Sequence, residues 1–288
     1  MYARRLLALV ALLVVGTGLA GCGAEDLSTA SIAEAADVTV AERGMRIAID
    51  QTLTLPAAGR ISMTGSGVMD TAGQASQLTM EVTSVPDVVV GAFDKSDLTT
   101  EVITDHAVVY THSAQLSQLL GAGHKWVRFD AEKIGRAAGI DVSALTQSGQ
   151  DPSQAVRQLK AVSGDVEKVG REQVRGVDTV HYRATVELRR YPALVPAGER
   201  AAARDAIDQL IKVTGAATVP VDVWVGEDDL VRRLTQTLSL KGAGGRSQIE
   251  QRFELYDFGA DVDVRIPPPS EVADVSDLAA SGAATIGP

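Results

Sequence analysis

Cysteine is almost missing from this sequence: Cys22 is the only one in 288 residues. With no second thiol, no disulfide within the chain braces the fold, and the domain has to be held by its own core. Aromatic residues are also scarce, at 4%. That disfavours stacking platforms for bases or sugars and leaves aliphatic side chains to line any pocket. Basic charge is in deficit, with a net charge of −10. Phosphate binding needs concentrated Lys and Arg, so this balance argues against nucleic acid as a partner. It argues equally against adsorption onto anionic lipid by electrostatics alone.

Converging catalytic groups are missing too. There are four histidines. His124 falls in a Gly-rich turn, and His181 lies on the polar face of a strand pattern. His106 and His112 are evenly spaced within TDHAVVYTH and could share a strand face; solvent-facing strand residues are the plainer reading than a surface metal pair. No His-Glu-x-x-His occurs. The closest approach to a nucleophile elbow, Thr64-Gly65-Ser66-Gly67, lacks the spacing and sits inside an alternating pattern, where glycine marks a bulge or close packing. Gly242-Ala243-Gly244-Gly245-Arg246 lacks the Lys-Ser/Thr of a phosphate loop and reads as a hairpin loop. Glu227-Asp228-Asp229 reads as a solvated hairpin tip rather than a weak calcium site. The expectation is a protein that is not an enzyme, with no catalytic residue, no metal and no cofactor.

Long apolar runs are limited to one. Arg4 and Arg5 precede Leu6 to Val15, and small residues follow up to Gly21. This is the three-part layout of a secretory signal peptide. The run is short of the roughly 20 residues that a membrane span needs. Leu19-Ala20-Gly21-Cys22 resembles the bacterial lipobox. The resemblance implies that residues 1–21 are removed and that Cys22 becomes a diacylglyceryl-bearing first residue. An uncleaved anchor helix with an incidental cysteine is the alternative. Acyl chains contribute ~0.8 kcal/mol per buried CH₂, so two or three of them hold a protein stably on a membrane. Cys22 is thus read as an anchor, on the outer face of the cell membrane.

What the sequence has in abundance is alternation. Met45, Ile47, Ile49, Leu53 and Leu55 oppose Arg46, Asp50, Thr52 and Thr54. Leu78, Met80 and Val82 oppose Gln77, Thr79 and Glu81. Val180, Tyr182, Ala184, Val186 and Leu188 share a face, as do Leu230, Leu234, Leu238 and Leu240, and Ile249, Phe253 and Leu255. Period-2 patterns of this kind mark half-buried antiparallel strands, about nine to eleven of them. Helical patterns are fewer. In 198–215, Ala203, Ile207, Leu210 and Ile211 form a stripe and Gly215 supplies a stop. In 151–162, Asp151 is the candidate N-cap, Pro152 takes the first helical position, and Val156, Leu159 and Val162 face one way.

The expected fold is α+β: a curved, mostly antiparallel half β-barrel around a few helices. Residues 22–44 read as a lipidated start and tether, 45–272 as the domain, and 273–288 as a flexible tail. Helices plugging a partly closed sheet can leave an apolar cavity, though a fully packed core fits the same pattern. Candidate lining residues are Ile47, Ile49, Met63, Met80 and Val82 from the sheet, and Ile207 and Ile211 from the helix.

Several motifs occur in a fixed order. They are Trp126 with Phe129-Asp130, then Asp151-Pro152, Gly170-x-Glu172-x-x-x-Gly176-Val177, Val223-Trp224-Val225, and Pro267-Pro268. Together with the lipobox they resemble the LppX/LprAFG family of actinobacterial envelope lipoproteins, over roughly Met45 to Val272. The resemblance implies a half-barrel like that of the LolA/LolB carriers, with an apolar cavity, and a role in carrying or transferring acylated lipid or lipoglycan in the envelope. The competing expectation is an interaction or scaffold lipoprotein with a packed core, no ligand, and an envelope protein as partner.

Overall fold

The computed structural model describes residues 29–56, 59–71, 74–86, 98–114, 116–117, 125–133, 152–195, 197–198, 200–242, 245–278 and 281. The leader, Cys22, the 137–151 loop and the end of the tail lie outside them. Six strands come from the first half of the chain: β1 (Gly44–Leu55), β2 (Gly59–Asp70), β3 (Ala75–Ser84), β4 (Thr99–Asp105), β5 (Val108–Ser113) and β6 (Trp126–Asp130). Six come from the second: β7 (Val162–Val174), β8 (Val177–Glu187), β9 (Thr218–Gly226), β10 (Val231–Gly242), β11 (Gly245–Tyr256) and β12 (Val272–Asp274). Among the described residues three α-helices accompany them: α1 (Thr29–Ala41), α2 (Pro152–Gln158) and α3 (Arg200–Thr214).

All twelve strands join one open, curved sheet in the order β12-β6-β5-β4-β3-β2-β1-β11-β10-β9-β8-β7. Strands β1 to β6 and β7 to β11 are each an antiparallel meander of sequence neighbours. The two meanders meet at a seam, where β1 pairs with β11 and Ile47 stands opposite Leu255. This is the curved, mostly antiparallel sheet read from the alternation, in the half-barrel class that the family resemblance implies. β12 escaped that reading because three residues show no period. It pairs in parallel with β6, Val272 opposite Trp126, and is tied down by Arg128 donating to Asp274 at 2.6 Å and Lys125 to Glu271 at 3.3 Å.

The helices pack on one face of the sheet, here called the inner face. Within residues 22–44, read as a tether in which Ser31 to Asp37 could make a short helix, Thr29–Ala41 form α1. Its Ile32, Ala35 and Ala36 are buried at 0–1% exposure in the core. Small residues let α1 lie close against α2 and β7. Its Thr39 hydroxyl donates to the Ala35 carbonyl at 2.6 Å and accepts the Val231 amide at 2.8 Å, tying α1 to β10. α2 starts at Pro152 as its fixed φ favours, runs through a 3-10 turn (Leu159–Ala161), and enters β7 directly, with Val156, Leu159 and Val162 sealed. α3 ends at Gly215, whose φ of +69° is the left-handed stop a glycine supplies, and whose amide donates to the Ile211 carbonyl at 2.7 Å.

Two expectations shift in detail. A bulge between Val231 and Arg233 changes the phase of β10, so Val231 rather than Leu230 joins the core face with Leu234. His106 is not on a strand face with His112: it sits in the β4–β5 turn at φ +53°, its Nδ1 2.7 Å from Asp105.

Candidate functional site

Burial along the inner face changes from one end of the strands to the other. At the end covered by α1 and α2, Met45, Ile47, Met69, Leu78, Leu234 and Leu255 are at most 4% exposed. Further along the same strands and on the same face, Leu53, Leu55, Ile61, Met63, Met80, Val82, Leu238 and Ile249 are only half-buried. The candidate lining residues divide along this line. Ile47 and Ile49 stand in the sealed core at 0% and 6% exposure, and Ile207 joins it from α3 at 8%. Met63, Met80 and Val82 lie on the half-open stretch, and Ile211 packs at the border of the core. Met63 and Val82 are cross-strand partners on β2 and β3.

Glycines shape that stretch. Gly65 and Gly67 of β2 face inward, opposite Met80 and Leu78. A Cβ at Gly65 would stand 2.2 Å from the Met80 sulfur, and one at Gly67 would stand 2.0 Å from the Gln77 carbonyl oxygen. The bare backbone of β2 is therefore what lets β3 side chains lean across it. This is the close packing that Thr64-Gly65-Ser66-Gly67 was read to mark.

A row of polar groups crosses the apolar face. Gln51 on β1 stands opposite Gln251 on β11, which stands opposite Gln236 on β10. Gln236 Nε2 donates to Gln251 Oε1 at 2.8 Å, and Gln251 Nε2 donates to Gln51 Oε1 at 3.2 Å. The row lies between the sealed Ile49, Phe253 and Leu234 and the half-buried Leu53, Ile249 and Leu238. Two hydroxyls deeper in, Ser76 and its cross-strand partner Thr104, are buried with no hydrogen-bond partner. The glutamines were legible as polar breaks in three apolar patterns. Their juxtaposition was not, because register across a seam of some 200 residues is not written in any local period.

The outer face carries the densest polar network. His181 stacks on Trp224, with ring centroids 4.1 Å apart and planes 10° apart. Its Nε2 lies 2.7 Å from Asp222 and its Nδ1 3.3 Å from Glu172, which also accepts the Trp224 indole N–H. Arg233 lies over Trp224 and donates to one oxygen of Glu254 at 2.7 Å; Arg175 takes the other at 2.8 Å. Burial opposes the charge of Glu254, but the two guanidiniums outweigh it and hold its carboxyl below the ordinary carboxylate range. The network pins the β7–β8 tip to β9, β10 and β11. It brings no nucleophile to His181. Among the described residues no group of three His, Cys, Asp or Glu side chains could hold a metal ion. A separate hollow of about 530 Å³ lies by the β4–β5 end, lined by Thr99, Glu101, His112, Ser117 and Lys125. Glu101 and Lys125 bring one charge of each sign to its wall, and it does not share the glutamine row.

Comparison with known proteins gives relatives of limited span. No family model matches the chain. An uncharacterized 31.2 kDa protein of Streptomyces griseus is 33% identical over 171 residues, 57% of this chain and 53% of that protein. A Streptomyces coelicolor protein named a "putative lipoprotein" is 26% identical over 162 residues, 55% of this chain and 45% of that one. The match therefore spans about half the length of these curated relatives. Among solved structures, LprF from Mycobacterium bovis aligns over 84% of this chain and 96% of its own, at TM-score 0.43 and 13% identity. The Mycobacterium tuberculosis lipoprotein LppX aligns over 82% and 97%, at TM-score 0.43 and 12% identity.

Proposed function

We propose that this chain is an envelope lipoprotein, anchored through acylated Cys22 to the outer face of the cell membrane, that binds or transfers an acylated lipid against its inner face. The observation that carries the reading is the half-buried apolar stretch of that face, at Leu53, Ile61, Met63, Met80, Val82, Leu238 and Ile249. Covering apolar surface returns ~25 cal/mol per Å², so a long acyl chain laid on this floor binds without catalytic groups. Nothing in the role requires chemistry on the ligand. The acidic charge leaves the acyl anchor, rather than electrostatics, to hold the domain at the bilayer.

A second reading is an interaction lipoprotein with a filled interior and an envelope protein as partner. The sealed positions of Ile47 and Ile49 favour it at that end of the sheet. Native mass spectrometry of the full chain, purified from a lipid-containing host, separates the two. A stoichiometric acyl lipid on the protein, removed by organic extraction, supports the carrier. A ligand-free mass with no uptake of added fatty-acyl probes selects the interaction module. Metabolic labelling with an alkynyl fatty acid tests the anchor: label is expected on the wild type and lost in Cys22→Ala.

A further inference from the structure

The row of Gln51, Gln251 and Gln236 is an odd element in an apolar floor. A carboxamide taken from water into an apolar setting costs free energy unless it is hydrogen-bonded. The row meets that cost only in part. Each carboxamide has two N–H donors and one carbonyl, and the two side-by-side bonds use one N–H each from Gln236 and Gln251. Among the described residues, the Nε2 of Gln51 donates to nothing. Among the same residues, four N–H groups stay free, two on Gln51 and one each on Gln236 and Gln251, beside one free carbonyl on Gln236 at the β10 end of the row. A saturated chain lying across it would remove those N–H groups from water and return no hydrogen bond. A ligand carrying carbonyl oxygens at that level would accept them.

We propose that this glutamine belt is a binding subsite for the ester linkage of a diacyl lipid. It sets the depth at which the ligand sits, with the ester carbonyls on the belt and the hydrocarbon on the apolar floor. The proposal rests on the carrier reading above. The dimensions agree with it. Strands stand about 4.8 Å apart, so three adjacent strands present donors over roughly 10 Å, wide enough for two neighbouring ester groups. Ester carbonyls only accept, which matches the free N–H groups on Gln51 and Gln251 at the middle and β1 side of the row.

The test compares uptake by the full chain of a diacyl phosphatidylglycerol and of its dialkyl ether counterpart with the same chain lengths, read by native mass spectrometry in competition. The wild type is expected to favour the ester lipid by about tenfold, the scale of one net hydrogen bond in a shielded site. Gln251→Leu is expected to lose that preference while still taking up the ether lipid. Gln51→Met is the second variant, since it leaves the Gln236–Gln251 bond in place and serves if Gln251→Leu does not fold. Equal uptake of both lipids by the wild type overturns the belt and leaves the carrier reading standing. So does a preference that survives in a folded variant. Uptake of neither lipid by the wild type overturns both.

Discussion

At the residue scale, the clearest constraint is Gly67. Its missing side chain is where the Gln77 carbonyl and Leu78 approach. Backbone on the far side cannot step away, so Gly67→Ala forces β2 and β3 apart and should cost about 1–3 kcal/mol. Urea unfolding of the variant checks this, and an unchanged midpoint would remove the close-packing argument. Glu254 sets a pH dependence. Its carboxyl is held below the ordinary value of 4.5. A depressed carboxylate contributes stability that is present above the unfolded value and lost as pH falls through the folded one. Thermal stability should therefore drop on acidification below about pH 4.5, and Glu254→Gln should flatten that part of the curve. A melting series from pH 7 to pH 3 on both proteins reads the difference.

At the element scale, α1 is the piece whose importance local sequence understates. Its residues are small and its apolar stripe is weak. The core nonetheless closes on Ile32 and on Thr39, which bridges to β10. Ile32→Ala should cost about 2–5 kcal/mol, as for other sealed aliphatics cut to alanine. A loss near zero in chemical denaturation would mean that α1 is a tether after all. The strands were more legible than the helix that covers them. Alternation assigned faces to β1, β3, β8 and β11, and the stripe Ala203-Ile207-Leu210-Ile211 assigned α3. Alternation fails where the backbone breaks phase, as at the Val231–Arg233 bulge. It is silent on partners brought from other strands. His181 was read as a plain outer-face residue because Asp222 and Glu172 arrive from β9 and β7. The glutamine belt was hidden for the same reason, each member being a single polar letter in an apolar row.

At the scale of the whole molecule, the sheet is sealed at one end and half-open at the other, and the lipid binding proposed above rests on that asymmetry. Met80 leans over Gly65 in the half-open stretch, so Met80→Trp places a large ring where the proposed ligand lies. The variant should fold with its core intact and take up several-fold less lipid than the wild type. Equal uptake by a folded Met80→Trp would move the ligand elsewhere. Ile47→Val is the useful contrast: it trims the sealed end, costs stability by about 0.5–1.5 kcal/mol, and should leave uptake alone.

The β1–β11 seam has a consequence for how the chain reaches this shape. Strands β1 to β6 and β7 to β11 each join sequence neighbours, and such local pairings form quickly. The seam instead waits for residues 245–256 to find residues 44–55, a closure across most of the chain and the slow step in assembling the sheet. Until it closes, each half carries an unpaired strand with an apolar face, and an edge of that kind accepts any complementary strand that arrives first. At high concentration the first to arrive can belong to another molecule. Two chains that exchange halves at this line satisfy every pairing of the monomer, so the seam is the place where a swapped dimer would form.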